Sequence, residues 1–240
     1  MNLLLAALAW IADPDQWAGP GSIPVLLGQQ LFFTAVAVAI AAAVAVPAGW
    51  AIGHTGRGRE FAVAIAGVAR AVPSFGLLIL LVLLFGVLHK PEAAIVTFVL
   101  LAIPSLLAGA YTGFEAIDRR VVDAARAVGM TEWQVLWRVE VPLGMPLLVG
   151  GLRSATLQVV ATVTIAAYVN LGGLGLPIIT GLSLRQYDVV LGGALLVAAL
   201  ALLLDGTLAL AQRAAIPRGV RTPRVAPRAP TIRSRAARTA

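Results

Sequence analysis

Long runs of apolar residues divide this chain into segments. Five of the runs reach the roughly 20 residues that a helix needs to cross a bilayer. They cover residues 31–53, 61–88, 93–113, 147–169 and 189–210. The pattern predicts an all-α, polytopic membrane protein with about five transmembrane helices.

The first twelve residues are also apolar, but this run is too short to span a bilayer. It carries no basic group and ends in the charged, turn-rich stretch 13–21. These features favour a segment at the membrane interface over a transmembrane helix or a cleaved signal peptide. The predicted domains are an extracytoplasmic or interfacial segment 1–26, a transmembrane domain 27–212 and an arginine-rich tail 213–240.

The net charge of the chain is concentrated in that tail. The formal charge of +7 raises nucleic acid as a possible partner, but eight arginines and no acidic residue lie from Arg213 onwards, and the rest is nearly neutral. With 60% hydrophobic and 12% charged residues, the composition indicates a lipid membrane and no nucleic acid partner. The tail is expected to be disordered and to touch anionic lipid. The absence of cysteine excludes disulfide and thiol chemistry.

Lysine and arginine are unevenly distributed between the connections. Fourteen of them lie in the tail and in the connections after the first and third runs, whereas the other connections hold only Lys90 and Arg185. Short basic connections stay in the cytoplasm. This asymmetry predicts an extracytoplasmic N-terminus and a cytoplasmic C-terminus for a multi-pass protein of the cytoplasmic (inner) membrane.

Two charged residues within the apolar runs are candidate functional residues, because charge inside a membrane is costly and often functional. Arg70 is followed by Pro73 and Ser74, and the proline interrupts the helical pattern. Either these three residues line a water-filled translocation path, or the helix starts near Pro73 and Arg70 lies at the cytoplasmic interface. Asp205 lies about two turns before Arg213, which favours a satisfied carboxylate near the interface.

The connection EAIDRRVVDAARAVGMTEWQVLWRVEVPLGMP, residues 115–146, is the only sizeable internal loop. Asp118 is a candidate N-cap, and Gly129 stands where the end of a helix needs a left-handed residue. The short helix predicted between them has an apolar stripe made of Val121, Ala124, Ala125 and Val128.

A second short helix is predicted to follow. Thr131 and Gln134 have the spacing of a capping box, and Pro142 is expected to end the helix. Its predicted apolar side consists of Val135, Leu136 and Val139. Helix, glycine turn and helix would form a compact projection suited to docking into a groove on another protein. The alternative is a solvated linker with helical propensity.

The same loop resembles the EAA motif of ATP-binding-cassette (ABC) transporter permeases, in which Glu-Ala-Ala, three residues, Gly and nine residues precede Ile-x-Leu-Pro. This chain has Asp123-Ala124-Ala125, then Gly129, then Val139-Glu140-Val141-Pro142, with both spacings preserved. Aspartate replaces glutamate, which shortens the reach of the carboxylate, and valines replace Ile and Leu. The resemblance implies the fold of an ABC type-1 importer permease.

Segments outside the loop look like the osmoprotectant branch of these permeases, which imports glycine betaine, choline, carnitine or proline. The resemblance covers about residues 30–212. It rests on residues 71–78 (AVPSFGLL), 112–113 (TG), 150–155 (GGLRSA), 170–175 (NLGGLG) and 181–182 (GL).

The resemblance also implies partners and site residues. The expected partners are a cytoplasmic ABC ATPase dimer, a second permease subunit, identical or paralogous, and a separate extracytoplasmic binding protein that meets the outer loop 170–188. The residues expected to couple this chain to the ATPase are Asp123, Ala124, Ala125, Arg126, Gly129 and Pro142. By this view the aspartate and arginine make polar contacts, the alanines allow close packing and the glycine forms the turn.

Motifs for catalysis and cofactor binding are missing from the sequence. A P-loop needs Gly-x-x-x-x-Gly-Lys-Ser/Thr, and the sole lysine, Lys90, is followed by proline. The chain is therefore expected to be a transport subunit and not an enzyme, with no cofactor or metal of its own and with ATP and Mg²⁺ bound by the partner ATPase.

Substrate choice is not visible in the sequence. Quaternary ammonium groups are generally held by aromatic cages, but aromatic residues make up only 6% of the chain and are scattered along it. This agrees with recognition by a separate binding protein. The competing functions are a methionine or other amino-acid ABC permease and an ion-coupled secondary transporter.

Overall fold

The computed structural model describes residues 2–217, which form helices and short connections. This part of the chain contains ten α-helices. In order they are α1 (Leu3–Ala12), α2 (Ile23–Thr55), α3 (Arg59–Ala71), α4 (Ser74–Phe85), α5 (Lys90–Glu115), α6 (Arg119–Ala127), α7 (Glu132–Val135), α8 (Val141–Ala166), α9 (Leu176–Leu184) and α10 (Tyr187–Ala215). Four helical stretches there are long and apolar enough to cross a bilayer, namely Ile23–Thr55, Val87–Glu115, Glu132–Val169 and Tyr187–Ala215. The prediction of an all-α, polytopic fold is confirmed.

Helices α2, α5 and α8 form the centre of the bundle. Gly49 of α2 packs on Ala110 of α5, and both lie near the C-terminus of their helix, so α2 and α5 run parallel. Gly113, also near the end of α5, packs on Gly144 at the start of α8, so α8 runs antiparallel to them. The loop 115–142 therefore lies where α2 and α5 end and α8 begins. We call this the loop end of the bundle and the other the opposite end.

The run 61–88 does not form the single transmembrane helix that its composition predicts. It divides into α3 and α4 at Val72 and Pro73. Pro73 lacks an N–H and disfavours the helical region for the residue before it, and Val72 accordingly has φ −74° and ψ 125°. Because α2 and α5 are parallel, the chain must return between them, and α3 and α4 together make that return.

Several helix boundaries also differ from the prediction. Helix α2 begins at Ile23 and not at residue 31, and α10 extends to Ala215, so Arg213 belongs to a helix and not to the tail. Residues 218–240, on which the prediction of a disordered tail rests, lie outside the described residues. Helix α1, at ten residues, is about 15 Å long, half the thickness of the hydrocarbon core, which agrees with the prediction that it does not span the membrane.

Pro142 does not end the second loop helix, contrary to the prediction. Helix α7 continues through a π-helical turn, Leu136–Glu140, directly into α8. In that turn the Val141 N–H donates to the Leu136 carbonyl, a longer spacing than in an α-helix. Pro142 then occupies the first turn of α8, where its missing N–H costs little.

Small residues bring α2 close to α5. Every fourth residue along one face of α2 is a buried alanine or glycine: Ala37, Ala41, Ala45, Gly49 and Gly53. A Cβ atom on Gly53 would lie 2.8 Å from the Phe114 Cβ, closer than real Cβ atoms approach a neighbour. The stripe is of the small-xxx-small type that lets membrane helices pack backbone to backbone.

Glycines also form the contact between α5 and α8. A Cβ on Gly109 would lie 2.8 Å from the Gly151 Cα, and one on Gly113 would lie 2.7 Å from the Gly144 carbonyl oxygen. The clashing atoms belong to the backbone, so no side chain can turn aside to make room. The α5–α8 distance is therefore fixed by the absence of side chains on both helices.

Two glutamines join the helices at the opposite end. Gln30 is fully buried; its Nε2 donates to the Val160 carbonyl at 2.9 Å, and its Oε1 accepts the Leu174 N–H at 3.2 Å. The neighbouring Gln29 Oε1 accepts the Gly173 N–H at 3.0 Å. These bonds tie α2, α8 and the connection 170–175 together.

The glycine contact predicts a specific sensitivity to substitution. Gly109→Val should lower the free energy of unfolding by about 1–3 kcal/mol or more, because overpacking against the α8 backbone forces the helices apart. Thermal unfolding of the purified protein in detergent measures the effect. Gly28→Ala is the matched control, since nothing lies within 4 Å of a Cβ built there. Equal melting temperatures for the two variants would contradict the packing argument.

Candidate functional site

The loop 115–142 begins with a capped helix. The Asp118 side chain accepts the Arg120 N–H at 2.9 Å, which confirms the predicted N-cap of α6. At the other end of the helix, the Gly129 N–H donates to the Arg126 carbonyl at 2.9 Å and the Met130 N–H donates to the Ala125 carbonyl at 3.2 Å. This pair of bonds is a Schellman motif.

Gly129 has the positive φ, +87°, that this motif requires. The capping box predicted for α7 follows at once: the Thr131 N–H donates to Gln134 Oε1 at 3.0 Å, and the Gln134 N–H donates to Thr131 Oγ1 at 3.4 Å. Both short helices and the turn between them therefore have ordered ends.

The predicted apolar stripe of α6 is divided between two environments. Ala125 is buried, together with Val122, in a cluster with Phe114, Ile117 and Val135. Val121, Ala124 and Val128 are exposed, and Val128 is 79% exposed. Of the two motif alanines, therefore, Ala125 packs within this chain, whereas Ala124 faces outward next to the exposed Asp123.

An ion pair closes the turn between α6 and α7. The Arg126 guanidinium donates to both carboxylate oxygens of Glu132, at 2.8 and 2.9 Å, and lies 3.7 Å from Asp123. The hydrogen bonds to Glu132 raise the pKa of Arg126 above its ordinary value. The guanidinium is thus already engaged inside the loop, and holding the two short helices together is its role within this chain.

The loop is also tied to α2 and α3. Glu140 is buried, and its Oε2 lies 2.5 Å from Nδ1 of His54, in the last turn of α2. Arg59, the first residue of α3, pairs with Glu115 at 2.9 Å. Sequence reasoning missed both pairs, since His54 and Glu140 are 86 positions apart. The only available signal was the place of Glu140 in the Val-Glu-Val-Pro part of the motif.

Three tryptophans gather beside these charges. The ring centroids of Trp50 and Trp137 are 5.5 Å apart, and those of Trp133 and Trp137 are 5.6 Å apart. They border a cavity of about 400 Å³ at the loop end, together with His54 and Glu132. The aromatic residues are scattered in sequence, but three of the five tryptophans meet in the fold.

The residues predicted to line a path are only partly described. Pro73 separates α3 from α4 and Ser74 begins α4, so a helix does start where the interfacial alternative requires one. Arg70 belongs to α3, but its side chain lies outside the described part of the structure. The role of Arg70, Pro73 and Ser74 in translocation stays a prediction.

Asp205 is satisfied, but its partner is not Arg213. Its carboxylate accepts hydrogen bonds from both Nε and Nη2 of Arg153 in the middle of α8, the Nη2 bond being 2.5 Å long. The pair joins the middle of α8 to a point about two thirds of the way along α10. Sequence reasoning gave Arg153 no partner, because a pair that spans 52 positions has no local signature.

These features define the class of protein. Long apolar helices packed backbone to backbone make a membrane bundle, and one end carries an ordered helical loop with an exposed apolar face. In residues 2–217 no group of three or more His, Asp or Glu side chains could hold a metal ion. Residues 2–217 thus have the architecture of a polytopic membrane protein.

Comparison with known proteins gives the family. Residues 44–222 match the family described as binding-protein-dependent transport system inner membrane component, and the chain belongs to this family. The glycine betaine/carnitine/choline transport system permease protein OpuCB of Bacillus subtilis is 30% identical over 200 residues, covering 83% of this chain and 91% of the relative. The osmoprotectant import permease protein OsmW of Salmonella typhimurium is 32% identical over 207 residues, covering 84% and 95%.

Solved structures support the fold. A chain of the MetNI methionine ABC transporter in an inward-facing conformation superposes with a TM-score of 0.68 at 23% identity, covering 79% of this chain and 94% of that chain. A chain of an amino acid ABC transporter crystallised with histidines gives a TM-score of 0.65 at 17% identity, covering 86% and 97%. The predicted ABC importer permease fold is confirmed, and the chain is a transport subunit of the inner membrane.

The Arg153–Asp205 pair generates a prediction about the bundle. Arg153→Met should lower the melting temperature clearly, because it leaves a carboxylate unpaired between two membrane helices. The double variant Arg153→Met with Asp205→Leu should recover most of the loss, since an apolar pair replaces the ion pair. Thermal unfolding of all four proteins gives the coupling directly. Additive losses in the double variant would contradict a direct interaction between the two side chains.

Proposed function

We propose that this chain is the permease subunit of a binding-protein-dependent ABC importer that carries an osmoprotectant, such as glycine betaine, choline, carnitine or proline, across the cytoplasmic membrane. A separate cytoplasmic ATPase dimer drives it, and a second permease subunit completes the path. The ordered loop 115–142 at one end of a membrane bundle is the observation that carries the proposal. The family relationship and the names of the relatives supply the substrate class.

The exposed face of α6 is the proposed contact with the ATPase. Val121, Ala124 and Val128 present apolar surface, and Asp123 adds a carboxylate beside it. A short amphipathic helix laid into a groove is a common mode of recognition. The small Ala124 side chain would let the groove approach the backbone of α6 closely.

The connections of the loop suit it to transmit force. Its two short helices are held by the Schellman motif and by the Arg126–Glu132 pair, and α7 runs without a break into α8. Movement of the ATPases on binding ATP would therefore be carried to α8 and, through the glycine contact, to α5. Such a rigid element can bias the bundle between inward-open and outward-open states.

The proposed orientation follows the distribution of charge. The connection with Arg57 and the arginines of the 115–142 loop lie together at the loop end, which we assign to the cytoplasm. The opposite end, with the connection 170–175 held by Gln29 and Gln30, would then receive the extracytoplasmic binding protein.

Reconstitution tests the substrate class and the source of energy. The chain should co-purify from mild detergent with a P-loop ATPase, and vesicles holding the complete transporter should take up glycine betaine or choline only with ATP and the binding protein. Methionine uptake instead would favour the amino-acid alternative. Uptake driven by a proton gradient without any ATPase would contradict the proposal as a whole.

Gly129 provides a sharper test of coupling. A β-branched residue in the left-handed region costs about 1–2 kcal/mol, so Gly129→Val should break the Schellman turn and reorient α6. We expect uptake in reconstituted vesicles to fall roughly tenfold while ATP hydrolysis continues and the amount of protein in the membrane is unchanged.

Gly129→Asn is the matched control, because asparagine tolerates a positive φ better than valine does. It should keep most of the uptake. Normal uptake by Gly129→Val would show that this turn does not take part in coupling.

A further inference from the structure

Trp137 at the loop end makes edge contacts with both Trp50 and Trp133, and Trp50 also stacks on Phe114. Trp50 stands at 82° to Trp137, and Trp133 stands at 67° to Trp137, so the ring planes turn sharply at each contact. All three residues line the cavity of about 400 Å³ between the end of α2 and the start of the α7–α8 stretch. Trp133 and Trp137 are 68% and 44% exposed, so the rings are accessible from outside the bundle.

The charged groups at this cavity favour a positive ligand. The Glu132 side chain lines it, and the buried Glu140 lies behind His54, which contacts both carboxylates at 3.5 and 2.5 Å. The Arg126 guanidinium donates to both oxygens of the Glu132 carboxylate. Glu140 is thus buried against His54, and the described residues that line the cavity include the Glu132 carboxylate but no arginine or lysine.

Tryptophans near a membrane surface often serve only as interfacial anchors. Interfacial anchoring does not require the rings to contact one another. Here the rings contact one another around an open cavity, and a carboxylate and an imidazole share its lining. Aromatic faces combined with a carboxylate are the chemistry that holds a quaternary ammonium group, which cannot donate hydrogen bonds.

We propose that this cavity is a binding site for a quaternary ammonium cation at the loop end of the bundle, separate from the translocation path and from the binding protein. The ligand would touch Trp50 on α2 and Trp133 and Trp137 on the loop at once, so its occupancy would brace the loop against α2. The identity of the cation with the imported solute rests on the proposed function. The affinity of the cavity for a quaternary ammonium cation is independent of that function.

Binding can be measured on the full-length chain in lipid nanodiscs of phosphatidylethanolamine and phosphatidylglycerol, which contain no choline. Choline is the probe, and 3,3-dimethylbutan-1-ol is its uncharged isostere. We expect choline to quench or shift tryptophan fluorescence with saturation and to bind at least about 10-fold more tightly than the isostere. Equal binding of the two compounds, or no saturable binding of choline, would overturn the proposal.

Substitutions distinguish a loss of binding in this cavity from a general effect on folding. Trp137→Leu should weaken choline binding by about 10-fold or more, and Trp137→Phe should restore part of the loss. Glu132→Gln should weaken the binding of choline and leave that of the isostere unchanged. Trp17→Leu is the control, since this exposed tryptophan follows α1 and bonds to the Ile11 carbonyl. An equal loss of affinity in Trp17→Leu and Trp137→Leu would count against the site.

Two sources of the cation can be distinguished. If the lipid headgroup also enters the cavity, phosphatidylcholine added to the nanodiscs should weaken the binding of free choline. If only free cations enter, the binding should be unchanged. Binding of choline supports the site in both cases. Choline binding without osmoprotectant uptake in vesicles would overturn only the proposed substrate class. Uptake with no choline binding would overturn only this cavity.

Discussion

Backbone contact between α2, α5 and α8 is the constraint on which the rest of the structure depends. In a bilayer the hydrophobic effect does not hold helices together, so the helices must be held by close packing. The stripe of alanines and glycines on α2 and the facing glycines of α5 and α8 allow an approach that larger side chains would block. Because Gly113 and Gly144 lie beside the loop, this close approach also fixes where α8 enters the bundle, and with it where the loop projects.

Polar contacts also join the long helices. Gln30 at the opposite end, the Arg153–Asp205 pair in the interior and the His54–Glu140 pair at the loop end each join two of the long helical stretches. An unpaired polar group is costly in the membrane interior, so each of these contacts selects one register of the helices. The glycine contacts set the distance between α5 and α8, while the polar contacts set the position of α8 along the axis relative to α2 and α10. Together they make the bundle a body that a force applied at one end can move as a unit.

The sequence predicted what depends on near neighbours. The Asp118 cap, the left-handed Gly129 and the Thr131–Gln134 box each involve residues within a few positions, and all are present. Hydropathy located the membrane segments, but it could not tell that the run 61–88 divides at Pro73, because apolar composition does not require a continuous helix. The sequence could not predict the pairs that join distant helices or the contact of Trp50 with Trp137, because these residues are far apart along the chain. The close packing of α2 on α5 does have a trace in the sequence, the alanine–glycine repeat from Ala37 to Gly53.

The loop shows why the motif needs a glycine and a proline at a fixed separation. Gly129 reverses the chain after α6, and the distance from there to Pro142 holds α7 and the π-helical turn. An uninterrupted α-helix through this region would place Pro142 in its interior, where the missing hydrogen bond and the ring would kink it. The π-helical turn shifts the hydrogen-bond pattern before Pro142, and α7, the turn and α8 form one continuous helical rod. The same turn carries Trp137 and Glu140, which face α2. A partner that moves α6 would therefore move a rod already joined to α2 and α5, and would not merely bend a flexible linker.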